Sequence, residues 1–161
     1  PLDLNEAIES TIVISRNEWK YVAEMETDLD PELPPVAGRG GEINQVLLNL
    51  VTNAAHAIAA KLGDSPAAKG AIRITSRRRD GWAEISIQDS GAGIPEVLRS
   101  QVFDLFFTTK EEGRGSGQGL ALAHAVVVEK HGGELTFASE PGQGTTFFVR
   151  LPVDEGARSH A

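Results

Sequence analysis

The apolar positions of this chain fall into two rhythms. Between Gly41 and Leu62, Ile43, Leu47, Leu50, Ala54 and Ile58 recur on one helical face, with about 100° between successive residues. That spacing predicts a long helix over 41–62. Gln45, Asn49, Thr52, Asn53 and His56 gather on its polar arc, and Asn49 and Asn53, four apart, stack one above the other. Leu4, Ile8, Ile12 and Ser15 mark a shorter amphipathic helix within 2–15, with Asp3 or Asn5 to cap it. Pro95 pre-sets the first turn of a short helix over 95–100. An Ala-, Leu- and Val-rich run over 119–131 predicts another, stopped by Gly132 and Gly133.

The second rhythm is twofold. Tyr21, Ala23, Met25 and Thr27 alternate with Val22, Glu24, Glu26 and Asp28, so 20–28 reads as a strand. Ile72 and Ile74, then Trp82, Ile85 and Ile87, mark strands over 71–79 and 82–89, joined by the hairpin signal Asp80-Gly81. Strands over 134–139 and 145–151 follow, linked by Glu140-Pro141-Gly142-Gln143-Gly144. The proline-rich stretch 28–35 and residues 63–70 are connectors without regular structure. Two strand pairs and one early strand make a mixed, mostly antiparallel sheet. The long helices must cover one face of it, which predicts an α+β fold, a two-layer sandwich.

Composition narrows the picture. The length, 161 residues, suits one domain, taken as 1–153 with a polar tail at 154–161. There is no cysteine, hence no disulfide and no thiolate metal site. No apolar run approaches about 20 residues, so no membrane span and no direct membrane contact is expected. The net charge of −8 argues against nonspecific nucleic-acid binding. It also means that an anionic ligand needs local basic groups, helix amides or a metal ion. Arg77, Arg78 and Arg79 fall at the hairpin end, as a solvated strand terminus.

The chemistry lies between Asp89 and Leu120. The run DSGAGIP places a carboxylate at a strand tip, followed by Gly91 and Gly93, whose backbone can approach a flat ligand. A carboxylate accepts hydrogen bonds, as from the exocyclic amine of adenine. VFDLFFTTK supplies three phenylalanines, two threonines and a lysine. Then EEGRGSGQGLA brings Gly113, Gly115, Gly117 and Gly119 to the start of a helix, where unpaired amides and the helix dipole favour phosphate. Residues 108–118 are expected to form a loose lid. On the long helix, the oxygen of Asn53 can complete a Mg²⁺ shell beside phosphates and water.

Other nucleotide and hydrolase signatures are absent. No lysine precedes Ser or Thr, so there is no Gly-x-x-x-x-Gly-Lys-Ser/Thr loop. Gly115-Ser116-Gly117-Gln118-Gly119 lacks the dinucleotide spacing, and glycine stands where a nucleophile elbow needs serine. His56, His124, His131 and His160 have no zinc-site partners in the pattern.

These segments, in this order, resemble the ATP-binding catalytic domain of sensor histidine kinases. Gln45 to Ile58 (QVLLNLVTNAAHAI) looks like its asparagine box, DSGAGIP its first glycine box, VFDLFFTTK its phenylalanine box and GRGSGQGLALA its second glycine box. His131 to Pro152 resembles the closing strands. The resemblance covers nearly the whole chain. It implies the Bergerat sandwich shared with gyrase, the ninety-kilodalton heat-shock chaperone and mismatch-repair ATPases, with ATP and Mg²⁺ as ligands. It implies that Asp89 accepts the adenine amine, with Gly91, Gly93 and Ile94 shaping that end and Thr145 as a last contact. Asn53 would bind Mg²⁺ with Asn49 beside it, and His56 would face phosphate. Gly115, Ser116, Gly117, Gln118, Gly119 and Leu120 would line the triphosphate. Phe107, Thr108, Thr109 and Lys110 would reach it from the lid, Phe103 and Phe106 would anchor that lid, and Lys110 or Arg114 would meet the γ-phosphate. Ala57 stands where several relatives carry an aromatic against the base, and Gln118 replaces a commoner leucine.

Asn49 bears on the reaction. Hydrolysing relatives place a glutamate four residues before the magnesium asparagine, and an amide accepts no proton at neutral pH. Asn49 therefore points to transfer of the γ-phosphoryl group to a residue elsewhere. No histidine here is followed by an acid, as the family's phosphoacceptor typically is. The expectation is a cytoplasmic catalytic domain, monomeric alone, whose acceptor histidine lies on a dimerisation domain of a dimeric parent kinase. A response regulator would act downstream. The alternatives are a gyrase-type ATP hydrolase and a nucleotide-sensing module without catalysis.

Overall fold

A computed structural model of the chain describes residues 1–63, 69–101 and 118–153. The elements in order are α1 (Leu4–Ile14), α2 (Arg16–Trp19), β1 (Ala23–Asp28), α3 (Gly40–Leu62), β2 (Gly70–Arg79) and β3 (Trp82–Asp89). A 3-10 helix (Glu96–Gln101) follows. Then come α4 (Gln118–His124), which runs on as a π-helical segment (Ala125–Lys130), β4 (Glu134–Glu140) and β5 (Gly144–Pro152). The expected α+β sandwich is the observed architecture.

The five strands lie in the order β1-β2-β3-β5-β4. β1 runs parallel to β2, and the other neighbours are antiparallel. The expected strand over 20–28 begins at Ala23, because the chain first makes the short helix α2, where Lys20 N–H closes onto Arg16 O. The hairpin at Asp80-Gly81 forms, with Asp80 at φ +56°, a conformation Asp tolerates. The helix expected over 95–100 is a 3-10 turn shifted by one residue. The helix expected over 119–131 changes pitch after His124 and ends before Gly132, at φ +65°.

Strand alternation decides the layers. Ile72, Ile74, Ala83, Ile85, Ile87, Phe147, Val149 and Leu151 are buried on the face that α3 covers with Ile43, Leu47, Leu50, Ala54 and Ile58. α1 packs Leu4 and Ile8 into the same core, and Ala123 and Val127 close it from α4 and the π-helical segment. Asp3 caps α1 by accepting from Glu6 N–H (3.1 Å). Asn5 instead binds Asp30 O (2.7 Å) and accepts from Ser76 Oγ (2.7 Å), which ties α1 to the connector and β2.

The opposite sheet face is ionic. Arg73 and Arg77 pair with Asp28, and Arg73 also with Glu26. Glu84, its side chain 8% exposed, lies between Arg79 and Arg150. Arg77 and Arg79 are thus engaged in the sheet surface, as a solvated strand end requires.

The two helices that flank the site are joined at their far ends. Arg39 N–H, at the start of α3, donates to His131 Nε2 (3.0 Å), so His131 carries its proton on Nδ1 and donates to Val126 O (2.8 Å). Lys130 pairs with Glu42 at 3.0 Å. This hydrogen bond holds the Glu42 carboxyl below its ordinary range against the opposing effect of burial, with lesser help from Arg39 and His131.

Candidate functional site

The site is built where β3 ends. Asp89 is the last residue of β3, between β2 and β5, with Ile72 and Thr145 as cross-strand neighbours. The pleat turns its side chain toward the helical layer, and it is only 3% exposed. Burial pushes its pKa up to about 6, against the opposing pull of hydrogen bonds from the Gly91 and Thr145 backbones. Oδ1 accepts from Gly91 N–H at 2.8 Å.

The loop after Asp89 is clamped from three sides. Ser90 pairs with Ala71 through both backbone and hydroxyl. Ala92 N–H reaches Ala57 O on α3 (3.4 Å), and Ala92 O accepts from Gly142 N–H (2.7 Å) in the β4–β5 turn. Lys61, on the last turn of α3, donates to Gly142 O at 2.8 Å. Gly93 has φ +77°, and a Cβ there would strike Glu140 O, so glycine is required twice over. Gly91 is required for another reason: a Cβ would fall 2.7 Å from Ala57 Cβ. Its small size serves helix–loop contact first. Gly144, at φ +134°, leaves room for the Asp89 carbonyl.

Ser139 is a residue that sequence reasoning missed. Its hydroxyl accepts from Ile94 N–H (2.7 Å) and meets Thr145 Oγ1 (2.8 Å), and both hydroxyls are buried. Its carbonyl accepts from Arg99. The available signal was a serine following Leu135 and Phe137 at an inward strand position. Ile94, a predicted site residue, is partly buried against the core at this corner.

Helix α3 spans the site. Ala57 touches the first glycine segment, and Asn49, two turns earlier, touches the second: its Nδ2 donates to Gly119 O at 3.3 Å. Eight residues at about 1.5 Å each separate these contacts by about 12 Å along the axis. Asn53 and His56 lie between them, half-buried and hydrogen-bonded or otherwise engaged. Asn49 Oδ1 accepts from Gln45 Nε2 at 2.8 Å. Gly119 and Leu120 stand in the first turns of α4, which Gln118 opens.

The structure therefore brings Asn49, Asn53, His56, Asp89, Gly91, Gly93, Ile94, Gly119, Leu120 and Thr145 to one edge of the α3–sheet interface. Phe103, Phe106, Phe107, Thr108, Thr109, Lys110, Arg114, Gly115, Ser116 and Gly117 lie outside the described residues. Among the described residues no group of three His, Cys, Asp or Glu is placed to hold a metal ion. No described helix is long and apolar enough to cross a membrane.

A family model described as histidine kinase-, DNA gyrase B-, and HSP90-like ATPase matches residues 38–155. The chain is 37% identical to the signal transduction histidine-protein kinase AtoS of Escherichia coli over 155 residues, 95% of this chain and 24% of AtoS. The catalytic domain of the histidine kinase ThkA superposes with a TM-score of 0.77 at 32% identity, over 92% of this chain and 93% of that one. Full-length ShkA, solved with AMPPNP, gives a TM-score of 0.77 at 25% identity over 94% of this chain and 30% of that one. The chain spans 16% of the two-component sensor PprA of Pseudomonas aeruginosa and 42% of the kinase/phosphatase NtrB of Rhizobium meliloti, so less than half of these relatives' length.

Proposed function

Because this chain belongs to the histidine kinase-, DNA gyrase B-, and HSP90-like ATPase family, as a sensor histidine-kinase catalytic domain, we propose that it binds Mg-ATP and donates the γ-phosphoryl group to a histidine on a separate dimerisation domain. The observation that carries the reading is Asp89, a carboxylate 3% exposed at a strand tip, followed by glycines that let its loop pack against α3 and the β4–β5 turn. Burying a carboxylate is costly unless its charge is answered by donors or a cation. An adenine amine donating to it would offset part of that cost while reading the base. ShkA in its complex with AMPPNP supports the nucleotide class.

In this reading the residues divide along α3. Asp89, Gly91, Gly93, Ile94 and Thr145 orient the base. Asn53 offers a hard amide oxygen to Mg²⁺, whose remaining shell would come from phosphate and water. Magnesium there would neutralise charge on the phosphates. Asn49 offers no group that can take a proton from water, so bound nucleotide is kept for transfer rather than for hydrolysis. His56, Gly115, Ser116, Gly117, Gln118, Gly119 and Leu120 would surround the phosphates. Phe107, Thr108, Thr109, Lys110 and Arg114 would close over them, with Lys110 or Arg114 at the γ-phosphate. The acceptor histidine, a dimeric parent kinase, a response regulator downstream and a cytoplasmic setting belong to the same proposal. A structure of ThkA with the response regulator TrrA supports the regulator as a partner class.

The test mixes this chain with Mg-[γ-³²P]ATP and a dimerisation domain carrying the acceptor histidine. We expect label on that histidine, none on this chain alone, and loss of both binding and transfer in Asp89→Ala. Tight nucleotide binding without transfer, or brisk hydrolysis by the isolated chain, would reject it.

A further inference from the structure

We infer that Gln45 is a positioning residue for the phosphate end of this site, acting through Asn49; the inference rests on the nucleotide reading above. Gln45 Nε2 donates to Asn49 Oδ1 at 2.8 Å, and Asn49 Nδ2 donates to Gly119 O at 3.3 Å. The two bonds run in one sense, donor to acceptor, from the exposed face of α3 to the start of α4. An asparagine amide is nearly the same shape either way round, so only its partners decide which atom points where. Turning the Asn49 amide over would set Nδ2 against the Gln45 amine and Oδ1 against the Gly119 carbonyl, losing both bonds. The Gly119 carbonyl, which only accepts, fixes the donor end of Asn49 on α4, and Gln45 holds the oxygen end on its own side of the helix.

The consequence reaches beyond the amide. Gly119 belongs to the second glycine segment, and a Cβ at Gly119 would lie 3.8 Å from Asn49 Cγ. The Asn49 bond thus sets how closely α4 approaches α3 just where the phosphates are proposed to enter. Gln45 touches neither the base corner nor the core: it is exposed, and Ala57, the residue of α3 that abuts Gly91, lies three turns further on. Its influence belongs to phosphate and metal, not to adenine.

The test is a double-mutant cycle on this chain. Calorimetry measures the affinity for Mg-ATP and for AMP in the wild type, Gln45→Met, Asn49→Ala and the pair. Methionine keeps length and helix preference and removes the side-chain amide that donates to Asn49. Gln45→Met is expected to weaken Mg-ATP about tenfold, to leave AMP within about twofold, and to have no further effect once Asn49 is alanine. Independent losses from the two substitutions, or an equal loss for AMP, would overturn the inference. In the ligand-free protein, Gln45→Met should shift the side-chain NH₂ resonances of Asn49; unchanged resonances would overturn it equally. Failure of the nucleotide reading looks different: the wild type would not bind Mg-ATP, or would bind it regardless of Asp89→Asn.

Discussion

At the scale of the residue, Asp89 sets function against stability. Burial raises its pKa to about 6 from an ordinary 3.8. The folded state therefore binds the proton more tightly than the unfolded chain does. Stability falls as pH rises from about 4 to about 6, by an amount of order 3 kcal/mol at most. In the proposed binding mode nucleotide affinity has the opposite sign, because only the ionised carboxylate accepts strongly from an adenine amine. Lowering pH from 7.5 to 5 should weaken ATP about tenfold while urea unfolding of the ligand-free protein shifts to higher midpoint. Asp89→Asn should remove both pH dependences, raise the urea midpoint at pH 7.5 and lose most ATP affinity. Parallel changes in affinity and stability would contradict this account.

Gly91 teaches a related lesson. The pattern DSGAGIP marks it as a loop glycine that admits a ligand. In the structure its missing side chain admits Ala57 of α3. Gly93 does need its glycine for conformation, at φ +77°. Two glycines two residues apart thus have different causes, and no feature of the sequence separates them.

At the scale of the element, the corner proposed to hold the base is a junction of β4, β5, α3 and the first glycine loop, and Ser139 holds much of it. Ser139→Ala would leave the Ile94 N–H without its acceptor and Thr145 without its neighbouring hydroxyl. A buried donor left unsatisfied costs about 1–3 kcal/mol. The expected result is a loss of that much unfolding free energy in urea and weaker binding of AMP as well as ATP, since the fault lies at the base end. A variant with unchanged AMP affinity would show that the corner is held by the remaining bonds of Lys61, Gly142 and Ala92.

The outline of helix α3 is legible in the sequence alone. Its apolar stripe and polar arc are both where periodicity puts them, and all five stripe residues are buried. Its role as a bridge is not legible there. Nothing within the helix says that Ala57 meets one glycine segment and Asn49 the other. The change of pitch after His124 is also invisible in the sequence, because Ala125 to Lys130 carries no Pro or Gly to signal it.

At the scale of the whole molecule, the layered body and the site are coupled by ligand. Nucleotide that binds the folded state alone stabilises it by about 2.7 kcal/mol at a hundredfold excess over Kd. Mg-ATP should therefore raise the urea midpoint of this chain. EDTA should remove the part of that gain owed to the metal, and Asp89→Ala should remove nearly all of it. Equal protection of wild type and Asp89→Ala would place the nucleotide elsewhere on the molecule.

By itself the sequence determined which residues turn inward, where most elements run, and the ordered set of segments that identifies the family. Those properties are local: a period of 3.6 or of two records which face is apolar, and a motif records which side chains stand together along the chain. Only the tertiary structure decided that β1 runs parallel to β2, that β5 lies between β3 and β4, and that Gln45, Asn49 and Gly119 form one hydrogen-bonded line. A periodic pattern specifies that a face must be covered but not by what. The choice of partner follows from shape and from hydrogen bonds between segments far apart along the chain, such as Arg39 and His131, 92 residues apart.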